Sequence, residues 1–138
     1  MIFGDSDREA IAAAQEVRIE TRSASGEVHK TIIWTAEHDG VLYVRSYLGP
    51  RGRWYREAVA NPDVAILVNR RRIEARAVPA TDPTSVEACS AGLTAKYPRS
   101  QSLRAMLVDD VLPTTMRLEP ASAEEPAPAT DPSAKVPA

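Results

Sequence analysis

The stretch VLYVRSYLGPRGRWYREAVANPDVAILV, residues 41–68, carries the pattern that decides the fold. Its β-branched and aromatic start predicts a strand over 41–48, which the glycine-containing break GPRG ends. The run RWYREAVAN then predicts a helix closed by Asn61-Pro62, because a residue before proline is biased away from helical geometry. DVAILVN predicts the next strand. Strand, helix and strand in so short a span indicate an α+β domain.

The segment before this stretch continues the sheet. EVRIETRSAS alternates apolar and charged residues with a period of two and predicts a half-buried strand. Ser25-Gly26 supplies a turn, and the β-branched run VHKTIIWTA predicts the returning strand. His38-Asp39-Gly40 predicts a second hairpin turn. At the N-terminus, Ser6 or Asp7 can cap a short helix at about 6–15.

The segment after residue 69 alternates strands and helices. RIEARAVPA predicts a strand that follows a tight arginine turn at 70–72. Asp82 and Pro83 predict the start of a helix that runs to about Tyr97. A helical piece near 102–108 and a last strand, LPTTMRLE, complete the order. Six mainly antiparallel strands with helices inserted between hairpins predict a small closed or half-closed β-barrel in an α+β domain.

Composition sets the limits of the domain. Residues 1–119 are predicted to form it, and residues 120–138 to form a disordered, acidic Pro/Ala-rich tail that lacks large apolar residues. No stretch is long and apolar enough for a membrane helix, and no secretory signal is visible, so a cytoplasmic location is expected. One cysteine, Cys89, and two histidines predict neither a disulfide nor a metal site.

The basic residues are unevenly distributed, although the formal net charge is only -2. Fourteen are arginine and three are lysine, and eight of the arginines lie between Arg45 and Arg76 against three acidic residues. The run Arg70–Arg72 predicts a solvated hairpin tip. Nucleic acid is not an expected partner, because no aromatic RNA-binding motif accompanies that run.

The segment YVRSYLGPRGRWYR, residues 43–56, carries the candidate chemistry. It places Arg45, Ser46 and Tyr47 at the end of a strand. Amides at a helix N-terminus bind anions, arginines add bidentate contacts, and aromatic faces stack on planar rings. The cluster favours a phosphate-bearing aromatic ligand; the alternative is solvated arginines beside core or dimer tryptophans. The residues at the start of the helix are Arg51, Arg53 and Trp54.

These residues resemble a known family. The run WTAEHDGVLYVRS, the glycine loop, RWYREAVANPDVAILV and the late Leu118-Glu119-Pro120 are similar to the flavin-binding split β-barrels exemplified by pyridoxamine phosphate oxidase. The likeness is closer to the deazaflavin-dependent nitroreductase branch, with its aromatic-led helix ending in Ala60-Asn61-Pro62. The strand KTIIW also resembles an uncharacterised bacterial family grouped with these barrels. The likeness covers roughly residues 16–120.

The resemblance implies a six-stranded, mainly antiparallel split barrel that forms a homodimer with its cofactor at the subunit interface. On that pattern Trp34 and Thr35 lie along the cofactor ring. The phosphate and linker would contact the basic segment. The arginine-rich composition suits an actinobacterium, so deazaflavin coenzyme is placed ahead of FMN. The residues implied near the phosphate or linker are Arg45, Ser46, Tyr47, Arg51, Arg53 and Trp54.

The implied function is an oxidoreductase that transfers a hydride to a small organic substrate, with no catalytic base assigned. Glu57 motivates the alternative, a non-enzymatic split-barrel binding module that has lost the cofactor site. A carboxylate at this point of the helix would repel a phosphate, unless Glu57 pairs with Arg53 or Arg56 on the helix surface.

Overall fold

Seven strands form one antiparallel sheet within residues 3–121, the part of the chain that this computed structural model describes. The predicted tail lies outside the described residues from position 122 onward. The strands are β1 (Val17–Arg22), β2 (Val28–Ile33), β3 (Ala36–His38), β4 (Val41–Val44), β5 (Asp63–Val68), β6 (Arg71–Pro79) and β7 (Met116–Pro120). Three α-helices of the described chain accompany them: α1 (Asp5–Ala13), α2 (Arg53–Ala60) and α3 (Pro83–Lys96).

The strand order is β2-β1-β5-β6-β7-β4-β3, which makes β2 and β3 the two edges of the sheet. Only Trp34 and Thr35 connect these edges. A link of two residues spans roughly 10 Å at most, so the two edges must lie close together. The sheet is therefore curled into a half-barrel, which confirms the predicted α+β barrel architecture.

The strand count corrects the six-strand prediction. The run VHKTIIWTA is not one strand, because β2 ends at Ile33 and β3 begins at Ala36. The two residues between them are held by α3 instead of by a neighbouring strand. Trp34 stacks on Tyr97 at 3.9 Å between ring centroids, and Thr35 Oγ1 accepts a hydrogen bond of 2.9 Å from Lys96 Nζ.

Several predicted element ends also differ. Helix α1 begins at Asp5 with Gly4 as its N-cap, because Ser6 Oγ and Asp7 Oδ1 accept hydrogen bonds from Arg71 and do not cap the helix. The predicted helical piece near 102–108 reduces to a 3₁₀ turn at Arg104–Met106, and another such turn at Leu112–Thr114 replaces the start of the last strand. Asp82 caps α3 as predicted, since its Oδ2 accepts from the Ser85 amide at 3.0 Å.

Two apolar clusters fill the fold. The larger lies inside the curl of the sheet, where Trp54 and Ala58 of α2 pack among strand residues such as Ile19 and Ile66. The smaller lies under α3 and contains Cys89 and Tyr97. Burial raises the pKa of the Cys89 thiol to about 11. The cysteine is therefore an inert part of the core.

Candidate functional site

A cavity of about 490 Å³ opens at the split of the barrel, where the chain leaves β2. Six of the eight predicted site residues line it, which brings together positions from a strand end, a loop and a helix. These six are Trp34, Arg45, Ser46, Tyr47, Arg53 and Trp54.

Aromatic side chains form much of the wall of this cavity. Trp54 is buried and packs edge-to-face on Tyr55, with ring centroids 6.3 Å apart. Trp34 is held by its stack on Tyr97. Tyr47 differs from both, because 59% of it is exposed at the rim. The cavity thus has two fixed aromatic rings and one that is free to contact a planar ligand.

The N-terminus of α2 lies at the same cavity. Gly52 is its N-cap and supplies no side chain, so no capping group occupies the first-turn amides. Arg53 is exposed, lines the cavity and forms no ion pair with any other described residue. A helix N-terminus beside an unpaired guanidinium is a site suited to an anion.

Ser46 fixes the loop that precedes this helix. Its hydroxyl donates to the Gly49 carbonyl at 2.8 Å, and its amide donates to Thr114 Oγ1 at 3.0 Å. Gly49 has a φ of +67°, which glycine adopts without strain. Any Cβ at Gly52 would collide with Ser46 Oγ. Ser46 is therefore a support for the loop as well as a part of the cavity wall.

Arg45 lines the cavity from a buried position and is only 1% exposed. Four of its N–H groups are directed at protein acceptors. Desolvation lowers the pKa of the guanidinium, yet no carboxylate of the described chain pairs with it. Its hydrogen bonds go to Thr115 Oγ1 (2.9 Å), Ser90 Oγ (3.0 Å), the Met106 carbonyl (2.9 Å) and the Val86 carbonyl (3.0 Å).

The other two predicted residues lie outside the cavity lining. Thr35 is buried, and its hydroxyl donates weakly to the Ile11 carbonyl at 3.4 Å while it accepts from Lys96. Burial lowers the pKa of Lys96 to about 8. Arg51 is exposed on the 3₁₀ turn Gly49–Arg51, which leads into α2.

Glu57 does not line this cavity, and its partners correct the expected pairing with Arg53 or Arg56. Its carboxylate accepts from Thr21 Oγ1 at 2.7 Å and contacts His29 Nδ1 at 2.9 Å. Burial raises the pKa of this carboxyl, but the hydrogen bonds from Thr21 and His29, together with the attraction of His29 and of the Arg53 guanidinium, outweigh burial, so the pKa lies below its ordinary value. His29 is therefore a partly buried hydrogen-bond partner of Glu57.

Sequence reasoning missed part of the lining. Ile32 and Leu48 form an exposed apolar rim, 62% and 56% exposed, and Glu16 adds a carboxylate. Ser102 and Met106 reach the cavity from the segment after α3. The alternation of β2 could have identified Ile32 as an outward apolar residue. No local pattern indicates that the chain near 102–106 returns to this place.

The curled sheet, the α2 loop and the cavity between them define a split β-barrel protein. The family described as "Uncharacterized protein conserved in bacteria (DUF2255)" matches residues 7–118, and the chain belongs to that family. No curated protein matches the sequence significantly. Among the described residues, no helix is long and apolar enough to cross a membrane, and no three metal-ligating side chains come together.

Solved structures of split barrels are similar to this chain in fold. A pyridoxamine 5'-phosphate oxidase candidate from Listeria innocua has a TM-score of 0.61 and 17% identity, over 85% of this chain and 92% of its own. The heme storage protein HutZ from Vibrio cholerae has a TM-score of 0.60 and 16% identity, and the match covers 87% of this chain and 91% of HutZ. Protein Atu2129 from Agrobacterium tumefaciens, of unknown function, has a TM-score of 0.64 and 14% identity over 83% of this chain, which spans only 51% of that protein.

Proposed function

We propose that this protein binds a flavin-type cofactor in the cavity at the barrel split and acts as an oxidoreductase on a small organic substrate. The observation that carries the proposal is the presence of aromatic walls and an uncapped helix N-terminus with Arg53 in one cavity. Deazaflavin coenzyme remains the first choice and FMN the second. The likeness to a pyridoxamine 5'-phosphate oxidase candidate supports a small-molecule site in this fold.

The residues that line the cavity fit a flavin-type cofactor. A volume of about 490 Å³ lies within the usual range for small-molecule sites, which is roughly 300–1,000 Å³. Arg53 and the first-turn amides of α2 would hold the anionic end, and Tyr47 and Trp54 would orient the ring. When bound, the cofactor supplies hydride transfer, while Ile32 and Leu48 would exclude water from the ring. No catalytic base is assigned.

The alternative is a non-enzymatic binding module that has lost the cofactor site, and Glu57 is the residue that favours it. The Glu57 carboxylate would disfavour a bound phosphate by charge repulsion. However, it is hydrogen-bonded to Thr21 and His29 and does not line the cavity, so it does not argue against a phosphate there.

A homodimer is part of the proposal, since the rim residues Ile32, Tyr47 and Leu48 are large, mainly apolar and exposed.

Titration of the purified protein with FMN and with deazaflavin coenzyme, followed by cofactor fluorescence, tests the proposal. We expect Arg53→Ala to weaken binding by about 10- to 100-fold, since a charged hydrogen bond contributes about 1.5–3 kcal/mol. Arg56→Ala is the matched control, because Arg56 is exposed on the same helix and does not line the cavity. Binding of both cofactors weaker than about 1 mM would favour the non-enzymatic module.

A further inference from the structure

A second cavity, of about 560 Å³, lies at the end of the β5–β6 hairpin and has a different chemical character. Its lining combines β1, β2 and the hairpin turn, and it shares Glu16 and Ile32 with the aromatic cavity. No aromatic side chain lines it. Five cationic side chains do, namely Arg18, Lys30, Arg70, Arg71 and Arg72; we call this cavity the basic groove.

The positive charge of the basic groove is only partly neutralised. Arg71 pairs with Asp7 at 3.1 Å, and Arg72 pairs with both Glu20 at 2.7 Å and Glu74 at 3.0 Å. Within residues 3–121, no ion pair forms at Arg18, Lys30 or Arg70. Glu16 is the one acidic residue of the lining. Lys30 lies opposite Glu20 in the β1–β2 register, and their charges interact, because Lys30 helps to lower the pKa of that carboxyl. Arg18 and Arg70 are the cations of this concave surface that no described acidic side chain pairs with, which favours an anionic ligand.

The backbone of the hairpin turn gives a second, independent observation. The two-residue turn Asn69-Arg70 has φ values of 49° and 64°, the left-handed region that favours glycine at the second position. The β3–β4 hairpin of the same chain uses Asp39-Gly40 for the equivalent turn, with φ values of 52° and 82°. The chain thus keeps an arginine in a strained position where glycine would be favoured, and such strain is typical of functional positions.

We propose that the basic groove binds a small oligoanion, a ligand with two or more adjacent phosphate or carboxylate groups. Arginine forks pair with both groups in a bidentate manner. The volume of the groove fits a small molecule. A nucleic acid fits less well, because the lining offers no aromatic ring on which a base could stack. The groove adjoins the aromatic cavity but does not depend on the cofactor proposed there.

Calorimetric titration of the full chain with inorganic pyrophosphate and with citrate, at low salt, tests this proposal. We expect Arg70→Gly to weaken binding of the preferred anion at least about 10-fold, as the loss of one charged contact implies. The same substitution should raise the melting temperature by a few degrees, because glycine relieves the strained turn. If Arg70 had only a structural role, Arg70→Gly would raise the melting temperature without weakening anion binding.

Two control variants show whether the anion binds in the basic groove or elsewhere on the protein. Arg22→Gln removes an exposed arginine of β1 outside the groove and should leave the anion affinity unchanged. Arg53→Ala separates the two sites, since an anion whose binding is lost in this variant but kept in Arg70→Gly lies at the α2 N-terminus and not in the basic groove. The proposal is wrong if Arg70→Gly binds both anions as wild type does. It is also wrong if the wild-type chain binds neither anion, whether or not it binds an RNA oligomer.

Discussion

Arg45 is a buried cation whose charge is balanced by dipoles, since no acidic side chain within residues 3–121 pairs with it. Its four hydrogen bonds connect the end of β4 to α3, to the turn at Arg104–Met106 and to the start of β7. These contacts span up to 70 positions of sequence, so no local pattern could have indicated them. The run of residues 43–56 predicted that Arg45 contacts the phosphate or linker of a cofactor, which stays a prediction, whereas the contacts that hold Arg45 depend on segments that fold against it.

Replacing Arg45 tests that role. We expect Arg45→Met to lower the free energy of unfolding by about 3 kcal/mol, because two buried carbonyls and two hydroxyls lose a charged donor. Urea denaturation of both proteins measures the difference. Arg51→Met, at an exposed position, should change stability by less than about 0.5 kcal/mol. Equal stabilities of the two variants would show that the guanidinium does not hold the fold together.

Helix α2 is positioned at its middle by a polar anchor and at its start by a glycine loop. Glu57 connects it to Thr21 on β1 and to His29 on β2. The helix itself was predictable from its local pattern. The anchor was not, because His29 and Glu57 are 28 positions apart and each looks like a surface residue in the sequence.

The anchor has a defined pH dependence. The pKa of Glu57 lies below its unfolded value of 4.5, so its contribution is present above about pH 4.5 and is lost as the pH falls further. We expect Glu57→Gln to cost about 1 kcal/mol at pH 7, and the gap to wild type to narrow below pH 4.5. Unfolding free energies at pH 7 and pH 4 measure this. Glu87→Gln, at an exposed position, should show no such change, and a constant gap for Glu57→Gln would contradict the assignment.

The strands show where prediction from sequence succeeds and where it fails. Period-two alternation and turn residues were sufficient for β1, for the Asp39-Gly40 hairpin and for β5 with β6. The split between β2 and β3 was missed, because Trp34 and Thr35 are held by Tyr97 and Lys96, more than 60 positions later. Long-range packing therefore decided the strand count, although the local residues all favour an extended chain.

At the scale of the whole molecule, the two cavities lie side by side and share Glu16 and Ile32. One has aromatic walls and the other is basic, so the split of the barrel and the hairpin end form one continuous concave surface with two chemical characters. Ile32 lies at the boundary between the cavities and is 62% exposed, although it is a large aliphatic residue in a strand. An apolar residue so placed favours burial against a ligand or a second copy of the chain.

The proposed homodimer predicts that this rim is covered in solution. Analytical ultracentrifugation of the full chain should then give a molar mass twice the 15.0 kDa of one chain. A charge buried at an interface without a partner is strongly unfavourable, so Ile32→Glu should shift the protein to the monomer mass. Val59→Glu is the matched control, because Val59 is 51% exposed on α2 but lines neither cavity. A wild-type chain that sediments at 15.0 kDa at all concentrations, or an Ile32→Glu variant that stays dimeric, would contradict an interface at the barrel split.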